Sequence, residues 1–398
     1  MKQQQFKLSQ LFDLHWDNYK ENPKHFILPE QYKAVAAIRA CRTEKLGVDH
    51  YVCQSCGEIS YVYHSCKNRF CPSCSWKDTI DWADKMKNQM LDIPHRHVVF
   101  TLPHHLNNLI KANKNVLLNI LFQTAAESIK DWMYQKYRLK PGIISVLHTF
   151  GEKKDWHTHI HMILSWGGID SNYQVKQING EYINYEFIQT KFRCKFEDKL
   201  IELFDHRALD HKFKCRIEFM RFIKQVNYKL WRIQFEPAIK TPTEVIRYIG
   251  RYSKRACISE YKITSIEGEF ISFKYKNYKK LDYQGKPIIK ELTLHYNDFF
   301  PRLLQHVPIP YFRLVRYYGA YAARTKAILK SLYAETYTAI TDNNSDNYEL
   351  PENPRLCSNC KTVKTYMYTV FKTKEGHRIF MTRFNPKKRH NKLKNNAA

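Results

Sequence analysis

The sequence predicts an α+β fold with a small cysteine-rich module towards its N-terminal end, and three observations carry that prediction. Two Cys-x-x-Cys pairs stand close together early in the chain. Runs of β-branched and aromatic residues alternate with segments of helical spacing. A run of three alternating histidines leads into an apolar stretch. At 398 residues the chain exceeds what one core usually holds, so two or three domains are expected. With 43% hydrophobic and 14% aromatic residues it can bury real cores. The 65 Lys and Arg against 38 Asp and Glu leave a formal charge of +27, which implies a polyanionic partner, most simply nucleic acid. Codon bias explains abundant lysine but not so large an excess over acids. No stretch approaches the roughly 20 apolar residues of a membrane span, and the polar MKQQQFKLSQ lacks a signal-peptide core. The expected setting is therefore a reducing cytoplasm, in association with nucleic acid and without a membrane partner. In that reducing compartment eleven cysteines argue for metal ligation rather than disulfides.

The cysteine-rich module comes first. Six of the eleven cysteines fall in CRTEKLGVDHYVCQSCGEISYVYHSCKNRFCPSC, residues 41–74. A CxxC turn points two thiolates at one pair of tetrahedral vertices, and a second such turn completes a closed site. Cys53, Cys56, Cys71 and Cys74 are accordingly expected to share one structural zinc ion, because core thiols have no reason to recur at this spacing. Cys41, His50, His64 and Cys66 interleave with them and are candidates for a second zinc site. Lys67 and Arg69 between them suit phosphate contacts. WADKMKNQMLDI then has helical spacing and leads into the next domain, so the first domain is drawn over 1–90.

Next come HRHVVFTLP (95–103) and GIISVLHTF (142–150), which read as strands, separated by a Leu-, Ile- and Ala-rich segment of helical spacing over about 104–137. The second strand meets HTHIHMIL across the polar GEKKDW, which suits a hairpin turn. A hairpin centred between Lys153 and Lys154 sets His148 opposite His159, and alternation with period two puts His161 on the same face. His157 lies on that face one step nearer the turn and competes with His148 as a third ligand. Four imidazoles on one side of a ribbon imply a bound divalent cation. Neutral imidazole suits Mn, Zn, Fe, Ni or Cu, and Mg when a phosphate oxygen completes the shell.

The segment TPTEVIRYIGRYSKR, 241–255, opens with Thr241, Pro242 and Glu244, a capping-box helix start. A helix from there carries Tyr248 and Tyr252 one turn apart on one face, with Arg247, Arg251, Lys254 and Arg255 around them as candidate DNA contacts. Basic neighbours lower the pKa of a phenol and also hold phosphates. A histidine metal patch, an arginine-flanked phenol pair and a strong positive charge together describe phosphodiester chemistry by a covalent tyrosine. A phosphotyrosine bond keeps the energy of the cut phosphodiester, so a free 3′-hydroxyl can reverse the attack. No GxxxxGK[ST] phosphate loop occurs, since Gly285-Lys286 is followed by proline, so the chain is expected to lack a helicase motor of its own and to rely on a separate helicase or replication machinery. Residues 336–398 read as a polar linker followed by Cys357-x-x-Cys360 and the basic run KKRHNKLK.

On these residues the chain resembles the HUH-type rolling-circle transposases of bacterial insertion sequences, in the paired-tyrosine group of the insertion-sequence ninety-one type. CRTEKLG and SCKNRFCPSC look like that family's zinc-binding domain, VVFTLP and VLHTFG like its first core strands, HTHIHM like its HUH motif and RYIGRYSKRACIS like its tyrosine motif. HVPIPYFRLVRYYG (306–319) is similar to a further family segment. The likeness runs from about residue 30 to about residue 330, with Phe70 and His64 standing where relatives commonly carry histidine and asparagine. It implies an HUH endonuclease core over 91–335, an antiparallel sheet flanked by helices. It implies His159 and His161 as HUH ligands to Mg or Mn with His148 as the third, and Tyr248 and Tyr252 as nucleophiles. The activity implied is nicking and rejoining of single-stranded DNA at element termini and target DNA through a 5′-phosphotyrosine. The alternatives are a plasmid or phage replication initiator or relaxase with the same chemistry, and a non-catalytic zinc-dependent DNA-binding regulator.

Overall fold

A computed structural model of the protein describes residues 6–75, 89–229, 231–239, 256–332, 356–373 and 376–380, with positions 79, 82, 86 and 244. Two helices lead the chain, α1 (Leu8–Glu21) and α2 (Pro29–Ala40), the second started by a proline at its first turn where no N–H is needed. The hairpin of β1 (Val48–Val52) and β2 (Ile59–Tyr63) follows.

The central sheet has five strands, all antiparallel, in the order β12-β4-β5-β3-β8. They are β3 (His95–Thr101), β4 (Gly142–Phe150), β5 (Trp156–Ser165), β8 (Arg232–Phe235) and β12 (Val315–Gly319), with a short β6–β7 ribbon (Gly167–Ile169 and Val175–Gln177) beside them. The helical segment expected between β3 and β4 is present as α3 (Asn107–Ala112) and α4 (Lys114–Tyr137). Asn113 divides them. Its backbone leaves the helical region and its side-chain amide donates to the carbonyls of Leu109 (3.0 Å) and Asp210 (2.8 Å).

Alternation along the strands sends Val98 and Phe100 of β3, Ile143 and Leu147 of β4, and Ile160, Met162 and Leu164 of β5 to one face. There they are buried under α4, α5 (Tyr185–Asp205) and α6 (Arg216–Asn227). The opposite face carries the histidines and, further along, Ile144 and Ile163, which are covered by Trp82, Met86, Met90 and Tyr321. The sheet is therefore sealed by helices on one side, while its other side bears the histidines and this smaller apolar cluster.

A second core joins parts of the chain far apart in sequence. Leu8, Phe12 and Trp16 of α1 and Val35 and Ile38 of α2 are buried together with Ile271 and Phe273 from a three-stranded meander and with Phe300 and Leu303. The meander comprises β9 (Ile263–Glu267), β10 (Phe270–Leu281) and β11 (Pro287–His295), and it runs into α7 (Tyr296–Leu304), which carries the last two residues. Beyond β12 the chain continues into α8 (Ala323–Leu332). Residues expected as part of a linker and tail form strands instead. β13 (Thr365–Thr373) pairs with β1, and β14 (Gly376–Phe380) pairs with β13, giving the sheet β14-β13-β1-β2. The cause lies in TYMYTVFKT, whose aromatic and β-branched residues suit a half-buried strand, opposite the otherwise open edge of β1. Among the described residues no helix is long and apolar enough to cross a membrane.

Glu197 on α5 offers a test of this packing. It is buried, Asn227 donates to its Oε2 at 3.0 Å, and its Oε1 has no hydrogen-bond partner among the described residues. Burial pushes its carboxyl up to about 7, against the pull of the nearby Arg193 charge. A carboxyl whose folded-state pKa is raised contributes stability below its unfolded pKa and loses it as pH rises through the folded one. Glu197→Gln is therefore expected to raise the melting temperature relative to wild type at pH 8 and to gain much less at pH 5, measured by differential scanning calorimetry. An equal gain at both pH values contradicts the buried-carboxyl account.

Candidate functional site

The candidate site lies on the face of the sheet opposite the helices α4, α5 and α6. A tight turn joins β4 to β5, with the Gly151 N–H donating to the Asp155 carbonyl at 3.0 Å. The register it sets pairs His148 with His159 and Val146 with His161, so the three imidazoles rise from neighbouring strands on one side. Their ligand nitrogens all lie within 4.8 Å of one another. The Nε2 atoms of His159 and His161 are 3.1 Å apart, and the His148 ring sits 4.6 Å from that of His161, centroid to centroid. His159 Nδ1 is 2.8 Å from the His157 carbonyl oxygen; donation to it leaves Nε2 with a lone pair directed at the cluster. His157, the rival third ligand, is exposed and stands outside the group of three.

His97 on β3 is a fourth member that the sequence analysis did not single out. Its Nε2 lies 2.9 Å from His161 Nδ1, with the two rings stacked at 5.1 Å. The tautomer in which His161 donates from Nδ1 to His97 frees His161 Nε2 for a ligand. The signal for it was present in HRHVV, a period-two histidine pair; what was missing was the knowledge that β3 pairs with β5. Burial, and then the neighbouring His148 ring, push His159 and His161 well below the ordinary histidine range, and burial pushes His97 down to about 4. These rings are neutral at physiological pH, which is the form that binds a metal.

Beside His148 opens a cavity of about 240 Å³ whose lining includes Arg69, Lys114, Cys257, His306 and Arg313. Arg69, a candidate phosphate contact, lines it, with Nη1 donating to the Phe312 carbonyl at 2.7 Å. The cavity is thus apolar in its walls and basic at its rim, next to the imidazoles. Tyr248 and Tyr252, with Arg247, Arg251, Lys254 and Arg255, lie outside the described residues, and of their helix only Glu244 is described, as helical and exposed.

The cysteines assemble differently from the expected pairing. Cys71 and Cys74 are grouped with Cys41 and Cys66, and Cys53 and Cys56 with Cys357 and Cys360. In the first cluster Cys41 Sγ is 3.5 Å from Cys74 Sγ and 3.8 Å from Cys71 Sγ, and Cys66 Sγ is 3.6 Å from Cys74 Sγ. The physical reason is that β1 and β2 carry Cys53 and Cys56 at their turn, away from the helical start at Cys71–Cys74. The Arg42 N–H donates to the His64 carbonyl at 3.0 Å, which brings Cys41 at the end of α2 to Cys66 instead. The second site expected from Cys41, His50, His64 and Cys66 is corrected likewise. His64 is committed to the Asp49 carboxylate (2.8 Å) and the Leu46 carbonyl (3.0 Å), and His50 stacks on Tyr368 at 4.4 Å. Each cluster brings four thiols together, a donor set that fits structural zinc.

Comparison with known proteins agrees with these features. Residues 142–327 match a family described as putative transposase, and residues 11–102 match the transposase zinc-binding domain. The transposase for insertion sequence element IS801 of Pseudomonas savastanoi pv. phaseolicola is 31% identical over 302 residues, covering 74% of this chain and 71% of that protein. A putative transposase of Sinorhizobium fredii, y4qJ, is 29% identical over 298 residues, covering 73% of this chain and 74% of its own length. No solved structure gives a significant match. With the zinc-binding domain and the transposase domain matched in order and a relative this similar over most of both lengths, the chain belongs to the IS91-type insertion-sequence transposases.

Proposed function

We propose that this transposase cuts and rejoins single-stranded DNA at the ends of its element through a 5′-phosphotyrosine, in a rolling-circle cycle. The observation that carries the reading is the convergence of the ligand nitrogens of His148, His159 and His161 within 4.8 Å on one side of the sheet. These three residues would hold Mg or Mn, and when bound that ion acts as a Lewis acid on the scissile phosphate. His97 would keep the His161 ring in the orientation that presents Nε2. The phenolate oxygen of Tyr248 or Tyr252 would attack phosphorus; the new O–P bond forms as the bond to the 3′ oxygen breaks, and that oxygen leaves as a hydroxyl after taking a proton. The reverse attack by a 3′-hydroxyl joins strands and frees the tyrosine.

The flanks of the tyrosine segment support this assignment. Before it, Ile239 pairs with His95 and packs with Ile144 and Ile163 on the histidine side of the sheet. After it, Ala256 and Cys257 line the cavity that His148 also lines. Both ends of the segment therefore meet the face that bears the imidazoles.

The β10–β11 ribbon suits the DNA backbone. Lys276, Lys279, Lys280, Lys286 and Lys290 are exposed on it together with Tyr278 and Tyr283. Its base is fixed to the turn of the histidine hairpin, where Lys153 sits over the Tyr275 ring at 5.1 Å and the Lys276 N–H donates to Glu152 at 3.2 Å. Lysines interleaved with exposed aromatic rings hold phosphates and stack unpaired bases. Supply of single strands would fall to host helicase or replication machinery.

Three outcomes test the proposal. Labelled single-stranded DNA of the element terminus, incubated with the protein and Mn, is expected to give an SDS-resistant adduct that Tyr248→Phe/Tyr252→Phe abolishes; intact DNA binding without any wild-type adduct refutes the mechanism. His97→Ala should weaken Mn binding about 10–100-fold, and His159→Ala should remove it, as read by electron paramagnetic resonance titration. Replacing Lys276, Lys279 and Lys280 with alanine should flatten the slope of log affinity against log salt by about 2 on single-stranded DNA, if each lysine holds one phosphate.

A further inference from the structure

We propose that Cys53, Cys56, Cys357 and Cys360 bind a second structural zinc ion, and that this ion clasps the C-terminal strands onto the N-terminal hairpin. Half of the site lies beyond both matched family regions, which end at residues 102 and 327.

The two halves have the same backbone. In the first knuckle the Gly57 N–H donates to the Cys53 carbonyl at 2.8 Å and the Cys53 N–H to the Glu58 carbonyl at 2.9 Å. In the second the Lys361 N–H donates to the Cys357 carbonyl at 3.0 Å and the Cys357 N–H to the Thr362 carbonyl at 2.9 Å. The residue after the second cysteine has positive φ in both, +74° at Gly57 and +57° at Lys361. Lysine rarely adopts that conformation, and it persists where surroundings demand it. Two copies of one turn, 304 residues apart, thus present their thiols to each other.

The sulfur positions suit a tetrahedral ion. Cys53 Sγ is 3.3 Å from Cys360 Sγ, Cys56 Sγ is 3.5 Å from Cys357 Sγ and 3.7 Å from Cys360 Sγ, and all four lie within 4.8 Å of one another. Zinc–sulfur bonds of about 2.3 Å set tetrahedral edges of about 3.8 Å. The thiols are free, and their separations far exceed the roughly 2.05 Å of a disulfide. Thr362 Oγ1 stands 3.2 Å from both Cys53 Sγ and Cys360 Sγ, where its hydroxyl can donate to a bound thiolate. Glu58 would place a carboxylate near the cluster, its Oε2 2.7 Å from Cys357 Sγ, but the buried Lys364 lies 3.5 Å from its Oε1 and offsets that charge.

Such an ion would close a loop of about 300 residues, and it would hold β13 in register on β1. The test uses full-length protein. Zinc content by mass spectrometry is expected to be one ion per chain higher in wild type than in Cys357→Ser/Cys360→Ser, and limited proteolysis should cut the variant near residues 356–364 at least tenfold faster. Equal zinc contents overturn the proposal. If the variant does not fold, X-ray absorption on wild type decides, with eight zinc–sulfur bonds per chain expected at about 2.3 Å; four bonds per chain overturn the clasp.

Discussion

The pairing of β4 with β5 is the constraint on which the histidine face depends. Side chains alternate with period two, so a slip of one residue would send His148 under the helices and leave His159 and His161 without their cross-strand neighbour. The turn that prevents this slip is specific. A Cβ at Gly151 would meet Asp155 Oδ1 at 2.6 Å, and Lys154 adopts a positive φ of 62°. Outside help holds the turn, because Gln305 Nε2 and His306 Nε2 lie 3.1 Å from the Lys154 carbonyl oxygen. Those two residues follow α7, which packs on α1 and α2. The N-terminal helices and the meander thereby brace the loop that sets the histidine register.

Burial of the imidazoles works in the same direction as their geometry. Four histidine rings on one patch of sheet would repel one another if protonated, and the apolar surroundings already favour the neutral form. The Nε2 atoms of His159 and His161 stand 3.1 Å apart, a crowding of lone pairs that a bound cation would relieve. The apolar side of the sheet is sealed by α4, α5 and α6, so the four imidazoles gather on the side away from that helical layer.

The thiol clusters show a different kind of dependence. Each CxxC turn is a local object whose two thiols point one way whatever the rest of the chain does. Which turn faces which is a matter of sheet pairing. Because β13 adds to the edge of β1, the partner of Cys53 and Cys56 comes from the far end of the chain rather than from the neighbouring CxxC across a 14-residue loop. The same edge pairing makes an ordered strand of a segment whose polar, proline-bearing approach reads as a linker.

Much of the fold was legible in the sequence because it follows from local patterns. The α+β class, the strands β3, β4 and β5, the helical stretch between β3 and β4, and the hairpin register with His148 opposite His159 all follow from periodicity and turn chemistry. The CxxC turns identify themselves as ligand pairs for the same reason. Tertiary structure alone decided the rest. It brought His97 behind His161, matched Cys41 and Cys66 to Cys71 and Cys74, and carried Cys357 and Cys360 across the molecule. A single sequence encodes which residues share a turn or a strand face, through spacing. Which strand edges meet, and so which distant ligands converge, is settled by burial of faces and closure of edges summed over the whole chain, and no short stretch contains that sum.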